Sequence, residues 1–316
     1  MYNKLKTVIT ATIAFLFIFL GMIPSIQAQD QEPLVDEMRN LLKSDAFNVG
    51  LLQQSTFNYS LTDDGFNNGR RFGLGATRLR FGGNLDGGFS YVMQMDFRRA
   101  PGVIDAAIGY HASEQFAVVT GLQKPDIGLD LQPNPGNTDF ISRARLVGTM
   151  LNVREVGVSV QGQSNGFDYN VAVFNGTGLN FNSNDDRFMY LAKVGYRPDL
   201  DQNGTLYIGA NGALNTTQNE SVGNTGLTSA EDRLTYGIFA DYRSDSWFGA
   251  AEFMQTQFDI SAENDETITS FYVTIGNKVT EKSEFLGRWD HLNFDLADRT
   301  SNLFILGWNY QATSVI

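Results

Sequence analysis

A two-residue hydrophobic period, repeated along nearly the whole chain, limits the fold more than any other feature of the sequence. Residues 89–98 place Phe89, Tyr91, Met93, Met95 and Phe97 on one side and Ser90, Gln94, Asp96 and Arg98 on the other. Residues 167–173 repeat the pattern, with Phe167, Tyr169, Val171 and Val173 opposing Asp168, Asn170 and Ala172. Successive side chains of a strand point to opposite faces, so this spacing describes strands that are apolar on one face and wetted on the other. Fourteen segments read this way: 47–61, 77–84, 89–98, 103–111, 116–123, 153–162, 167–173, 188–196, 205–214, 233–243, 246–258, 267–279, 284–292 and 300–310. A fifteenth begins near Thr313. The fold class is therefore all-β and antiparallel.

Composition narrows the class further. The 316 residues include no Cys, which removes disulfide scaffolds, thiolate metal sites and Cys nucleophiles. A net charge of -12 offers nothing to a phosphate backbone, so nucleic acid is not expected as a partner. At the N-terminus, Lys4 and Lys6 precede an apolar run over 8–20, and Ile26-Gln27-Ala28 supplies a cleavage site. Residues 1–28 thus read as a secretory signal peptide. Residues 29–46 read as a short periplasmic segment of helical pattern, with Val35, Met38, Leu41 and Leu42 near one face. Residues 47–316 form the β domain.

Alternation alone would also suit a soluble sandwich, and the connections separate the two. Those after even-numbered strands are short, as at 86–88, 113–114, 164–166 and 244–245. Those after odd-numbered strands tend to be long and acidic, as at 125–152, 177–186, 216–231 and 259–266, with the short connection around Arg99 to Gly102 the exception. Short periplasmic turns and long outer loops are the pattern of a transmembrane β-barrel. The wetted strand faces carry both signs, with Arg78, Arg80, Arg98, Lys193, Arg197, Arg243 and Arg288 beside Asp96, Asp105, Asp241, Glu252 and Asp290. On the lipid side a basic residue near the midplane would cost about 2–4 kcal/mol, so these charges are assigned to a polar lumen. With the mature N-terminus in the periplasm and an even strand number, sixteen strands are expected. The C-terminal strand would then lie beyond Ile316, in a sequence that reads as incomplete. A barrel of that size with a polar inside is a channel.

Thr77-Arg78-Leu79-Arg80-Phe81-Gly82-Gly83-Asn84-Leu85, followed by Gly88-Phe89-Ser90-Tyr91, resembles the early hairpin of the phosphate-selective porin O and P family. The resemblance continues in family order through Thr120-Gly121-Leu122-Gln123-Lys124-Pro125, Phe140-Ile141-Ser142-Arg143 and Leu306-Gly307-Trp308-Asn309-Tyr310. It implies a sixteen-stranded, homotrimeric porin of the bacterial outer membrane, surrounded by lipid. Such a porin passes small anions, phosphate or similar, by passive diffusion; it needs no cofactor and is not an enzyme. Where the family carries Glu-Arg in its constriction segment, this chain has Ser142-Arg143.

The connection between Lys124 and Val153 is the expected constriction, because loops of such length are usually functional or disordered. Folded inward, it brings Arg143 and Arg145 towards Lys124, and guanidinium forks hold phosphate or carboxylate bidentately. The competing reading pairs both arginines with Asp126, Asp130 or Asp139. For Arg78, Arg80 and Arg98 it is cross-strand pairing with Asp96 or Asp105. His111 and Ser113 share a strand face, as in a His-Ser hydrolase site, but no third orienting group is evident. His291 is isolated, and no metal site is read. Residues 199–204 begin like a calcium loop, yet Ala210 stands where the bidentate Glu is needed, and Asn203-Gly204 reads as a hairpin turn. The other function class left open is a non-channel outer-membrane or secreted β-protein acting in binding or adhesion.

Overall fold

The computed structural model describes residues 44–60, 70–98, 102–180, 185–200 and 204–313. The signal peptide and nearly all of the helical segment lie outside the described residues, as does Asn203 of the hairpin turn; Asp45 and Ala46 form a bend.

Fourteen strands form one antiparallel sheet in strict chain order. The first half comprises β1 (Asn48–Tyr59), β2 (Arg70–Leu85), β3 (Phe89–Asp96), β4 (Val103–Ser113), β5 (Phe116–Gln123), β6 (Glu155–Ser164), β7 (Phe167–Phe174), β8 (Met189–Tyr196) and β9 (Thr205–Asn215). A separate two-stranded hairpin, β10 (Glu220–Ser221) and β11 (Thr228–Ser229), sits in the next connection. The sheet resumes with β12 (Arg233–Arg243), β13 (Trp247–Ser261), β14 (Asn264–Thr280), β15 (Ser283–Phe294) and β16 (Arg299–Tyr310). Each of the fourteen expected segments coincides with one strand of this sheet. The fifteenth does not: Thr313 lies in a bend after β16, and 314–316 are outside the described residues.

The outward faces explain why the alternation is so regular. Leu306 is 91% exposed, Phe72 82% and Leu51 75%. A continuous apolar surface of this kind belongs against lipid. Outward aromatics pair along the strands and most densely beside the short turns. Near the short turns, Phe89 meets Tyr110, Phe167 stacks on Tyr196 and Phe285 stacks on Trp308. Near the other end Phe57 meets Phe72, and midway along β15 and β16 Trp289 stacks on Phe304. An aromatic belt beside the turns is placed as at a membrane–water interface of an outer-membrane barrel. The short turns use turn chemistry suited to them: Asn165 and Gly166 both have positive φ (51° and 82°), as the two-residue hairpin between β6 and β7 requires.

Two expectations are corrected here. The acidic stretch 259–266 is no long loop: β13 and β14 run through it, with Phe258 paired to Glu266 and Asp259 to Asp265. Alternation persists there, with Phe258, Glu266 and Ile268 all turned inward and buried, and the acidic composition masks it. The second correction concerns the lumen, which is not uniformly polar. Ile127, Leu131, Leu146, Val147, Met150 and Leu151 of the long loop bury themselves against inward residues such as Phe174, Leu191, Met254, Ile268 and Tyr272. A short helix, α1 (Arg145–Met150), carries part of that apolar face. Full burial of each large aliphatic side chain contributes about 1.5–3 kcal/mol, so the loop holds its inward position as a small core.

Candidate functional site

The loop leaves β5 at Lys124 and returns to β6 at Arg154. Because Gln123 pairs with Glu155, the residues just beyond the two strand ends, Lys124 and Arg154, must be neighbours. From there the loop crosses the lumen and is fastened to several strands. Asp126 pairs with Lys193 of β8 at 2.7 Å, Asp130 with Arg288 of β15 at 3.3 Å, and Asp139 with Arg243 of β12 at 3.0 Å. Arg243 also holds Asp241 at 3.0 Å. Glu252 of β13 accepts the backbone N–H groups of Leu129 (2.8 Å) and Asp130 (3.3 Å). Gly128 permits that approach: its φ is +76°, and a Cβ there would lie 3.0 Å from the Glu252 Oε1.

Asp126, Asp130 and Asp139 of the inward-folded loop are thus taken by strand cations, not by the loop's own arginines as the competing reading had it. The loop's own arginines are therefore left to neutral acceptors. Arg143 donates to the carbonyl oxygens of Asp130 and Pro133. Arg145 donates to the Asp290 carbonyl at 2.9 Å and to Ser301 O and Oγ at 2.8 and 2.9 Å. Among the described residues neither arginine has an ion-pair partner within 4.0 Å.

The result is an electropositive cavity of about 450 Å³. Arg78, Lys124, Arg143, Arg145 and Arg154 line it with no carboxylate in its wall. Two of the five have acids behind them: Arg78 bonds Asp96 at 3.2 Å and Arg154 bonds Asp105 at 2.7 Å. Asp96 is fully buried and also holds Arg98 at 3.2 Å. Burial, reinforced by Arg154 and Arg143, pushes the Lys124 ammonium down to about 7. Its Nζ donates to the Gln132 carbonyl at 2.7 Å.

The expected trio is thus brought together and joined by Arg78. Arg80, Arg98, Lys193, Arg197, Asp241 and Arg243 do not line this cavity; Arg197 bonds Asp168, and Arg80 lies exposed on β2. Arg154 was missed on sequence, although strand pairing across the loop ends was enough to place it beside Lys124. His111 bonds Ser90 Oγ at 2.9 Å rather than Ser113, and His291 bonds Asn302 at 3.0 Å.

A family model described as phosphate-selective porin O and P matches residues 47–303. No curated protein sequence matches the chain. Among solved structures, it is similar to an anion-selective porin from Comamonas acidovorans (TM-score 0.63, 16% identity, 85% of each chain covered). It is also similar to the trimer form of the outer-membrane protein OmpT of Vibrio cholerae (TM-score 0.60, 14% identity, 85% of this chain and 86% of that one). A third likeness is to the outer-membrane channel DcaP of Acinetobacter baumannii (TM-score 0.59, 11% identity, 86% and 89%).

Proposed function

The chain belongs to the phosphate-selective porin O and P family and is a channel of the bacterial outer membrane, and we propose that it passes small anions by diffusion through the five-cation cavity. The observation that carries this reading is the distribution of charge. Every acid of the inward loop segment is bonded to a strand cation, while Arg143 and Arg145 meet only neutral oxygens. A positive wall at a water-filled constriction attracts anions, and several weak donors let them leave again. In this reading the sheet works as a closed, sixteen-stranded wall around the lumen, with the short turns in the periplasm and residues 1–28 removed. Three copies associate, as the trimeric Vibrio protein suggests by analogy.

The test is reversal potential under a KCl gradient. The wild-type chain is expected to favour chloride. Arg143→Gln with Arg145→Gln keeps an amide donor at each position but removes two charges, and it is expected to shift the potential towards cations at high as well as low salt. Neutralising Glu263 and Asp265, both exposed at the rim, should matter at low salt only, because exposed charges are screened over roughly 8–10 Å. If the rim variant moves selectivity at high salt and the arginine variant does not, the cavity is not the filter.

A further inference from the structure

On its short-turn side the same loop borders a second cavity, of about 410 Å³, with different chemistry. Its two strand cations are already neutralised. Lys193 is held by Asp126 at 2.7 Å, and Arg197 by Asp168, which also accepts the Tyr207 hydroxyl at 2.9 Å. What remains free to meet a solute is a row of side-chain amides. Gln161 and Gln163 on β6 and Asn170 on β7 all line the cavity.

Asn170 singles the cavity out. Its side chain is buried, at 3% exposure, and its Nδ2 donates to Gln161 Oε1 at 3.2 Å, but its Oδ1 has no partner. A buried acceptor left unpaired costs about 1–3 kcal/mol, a cost that an incoming donor would relieve. Amides offer donors and acceptors together, which suits hydroxyl groups, since each hydroxyl also does both. An inorganic anion would use only the amides' donors.

Lys124 borders both cavities. We propose that the two cavities are consecutive subsites for one class of solute, a polyhydroxylated body bearing an anionic group, such as a hexose phosphate. The anionic group meets Lys124 and the loop arginines, while the hydroxyls meet Asn170, Gln161 and Gln163. This rests on the anion-channel reading above. The volume fits, since pockets for small ligands run from roughly 300 to 1,000 Å³.

Single-channel current in KCl, with glucose 6-phosphate or inorganic phosphate added, tests the proposal on the reconstituted full chain. In the wild type, glucose 6-phosphate should interrupt the current at several-fold lower concentration than phosphate. Asn170→Leu with Gln161→Leu should cut that preference about three- to ten-fold, the range expected for losing one or two net hydrogen bonds. Should the buried pair of changes impair folding, Gln163→Leu at an exposed position near the turn gives the same readout, with a smaller loss of preference. Equal block by the two anions in the wild type, or unchanged preference in both variants, overturns the subsite. Failure of the underlying reading looks different: the wild-type reversal potential would then favour cations, whatever the blocking order.

Discussion

Lys124 shares its cavity wall with Arg143 and Arg154. Burial and two neighbouring guanidinium groups lower its affinity for a proton until it titrates at about 7. The sign is that of a lysine depressed from its ordinary range: charged on the acid side of 7, neutral on the alkaline side. Anion preference should therefore fall as pH rises through 7. Lys124→Gln should lower the preference at acid pH and erase the pH step, while Lys124→Arg should keep preference high across it, because arginine stays charged. Reversal potentials measured on both sides of neutrality check this, and a pH step that survives in Lys124→Gln would assign the titration to another group. The identity of Lys124, Arg143 and Arg145 as a group was legible from the loop's length and composition. Their freedom from carboxylates was not, because Asp126, Asp130 and Asp139 are close in sequence and their actual partners are distant. Arg288, for example, lies 158 residues beyond Asp130.

At the scale of elements, the strands were readable because lipid enforces the period on their outer face. The docked loop was not, because it depends on inward positions contributed by strands far along the chain. A trace of it was present: β8 is apolar on both faces, with Met189 and Leu191 buried inward and Tyr190 and Val194 exposed outward. A strand of a water-filled barrel has no reason for that unless something apolar covers its inside. The loop's latch is the Asp130–Arg288 pair, whose arginine side chain is 1% exposed. Asp130 also accepts the Ala144 N–H at 2.7 Å, so one carboxylate ties the loop to the wall and to its own second half. Removing one partner of a buried pair costs about 3–5 kcal/mol. Asp130→Ala is therefore expected to loosen the loop while leaving the sheet intact. Amide exchange should accelerate across 126–151, and conductance should rise. Unchanged exchange there would mean that the apolar cluster alone holds the loop.

The whole molecule combines a net charge of -12 with a positive interior, and the two act over different ranges. Acids at the rim are exposed and screened by salt, whereas the five cations line a cavity in the lumen and act on a solute at contact distance. The account's central claim is that this cavity is both on the conduction path and positive. Absence of native Cys allows the claim to be tested with one introduced thiol. Val153 lines the cavity and is only partly buried, so Val153→Cys places a reactive group in its wall. The rate of modification by a negatively charged methanethiosulfonate, set against that of a positively charged one of similar size and followed as current through single channels, is the most direct measurement. The account expects the anionic reagent to react faster, with the current falling and chloride preference weakening as the adduct forms. Faster reaction of the cationic reagent, or modification without any change in current, would contradict it.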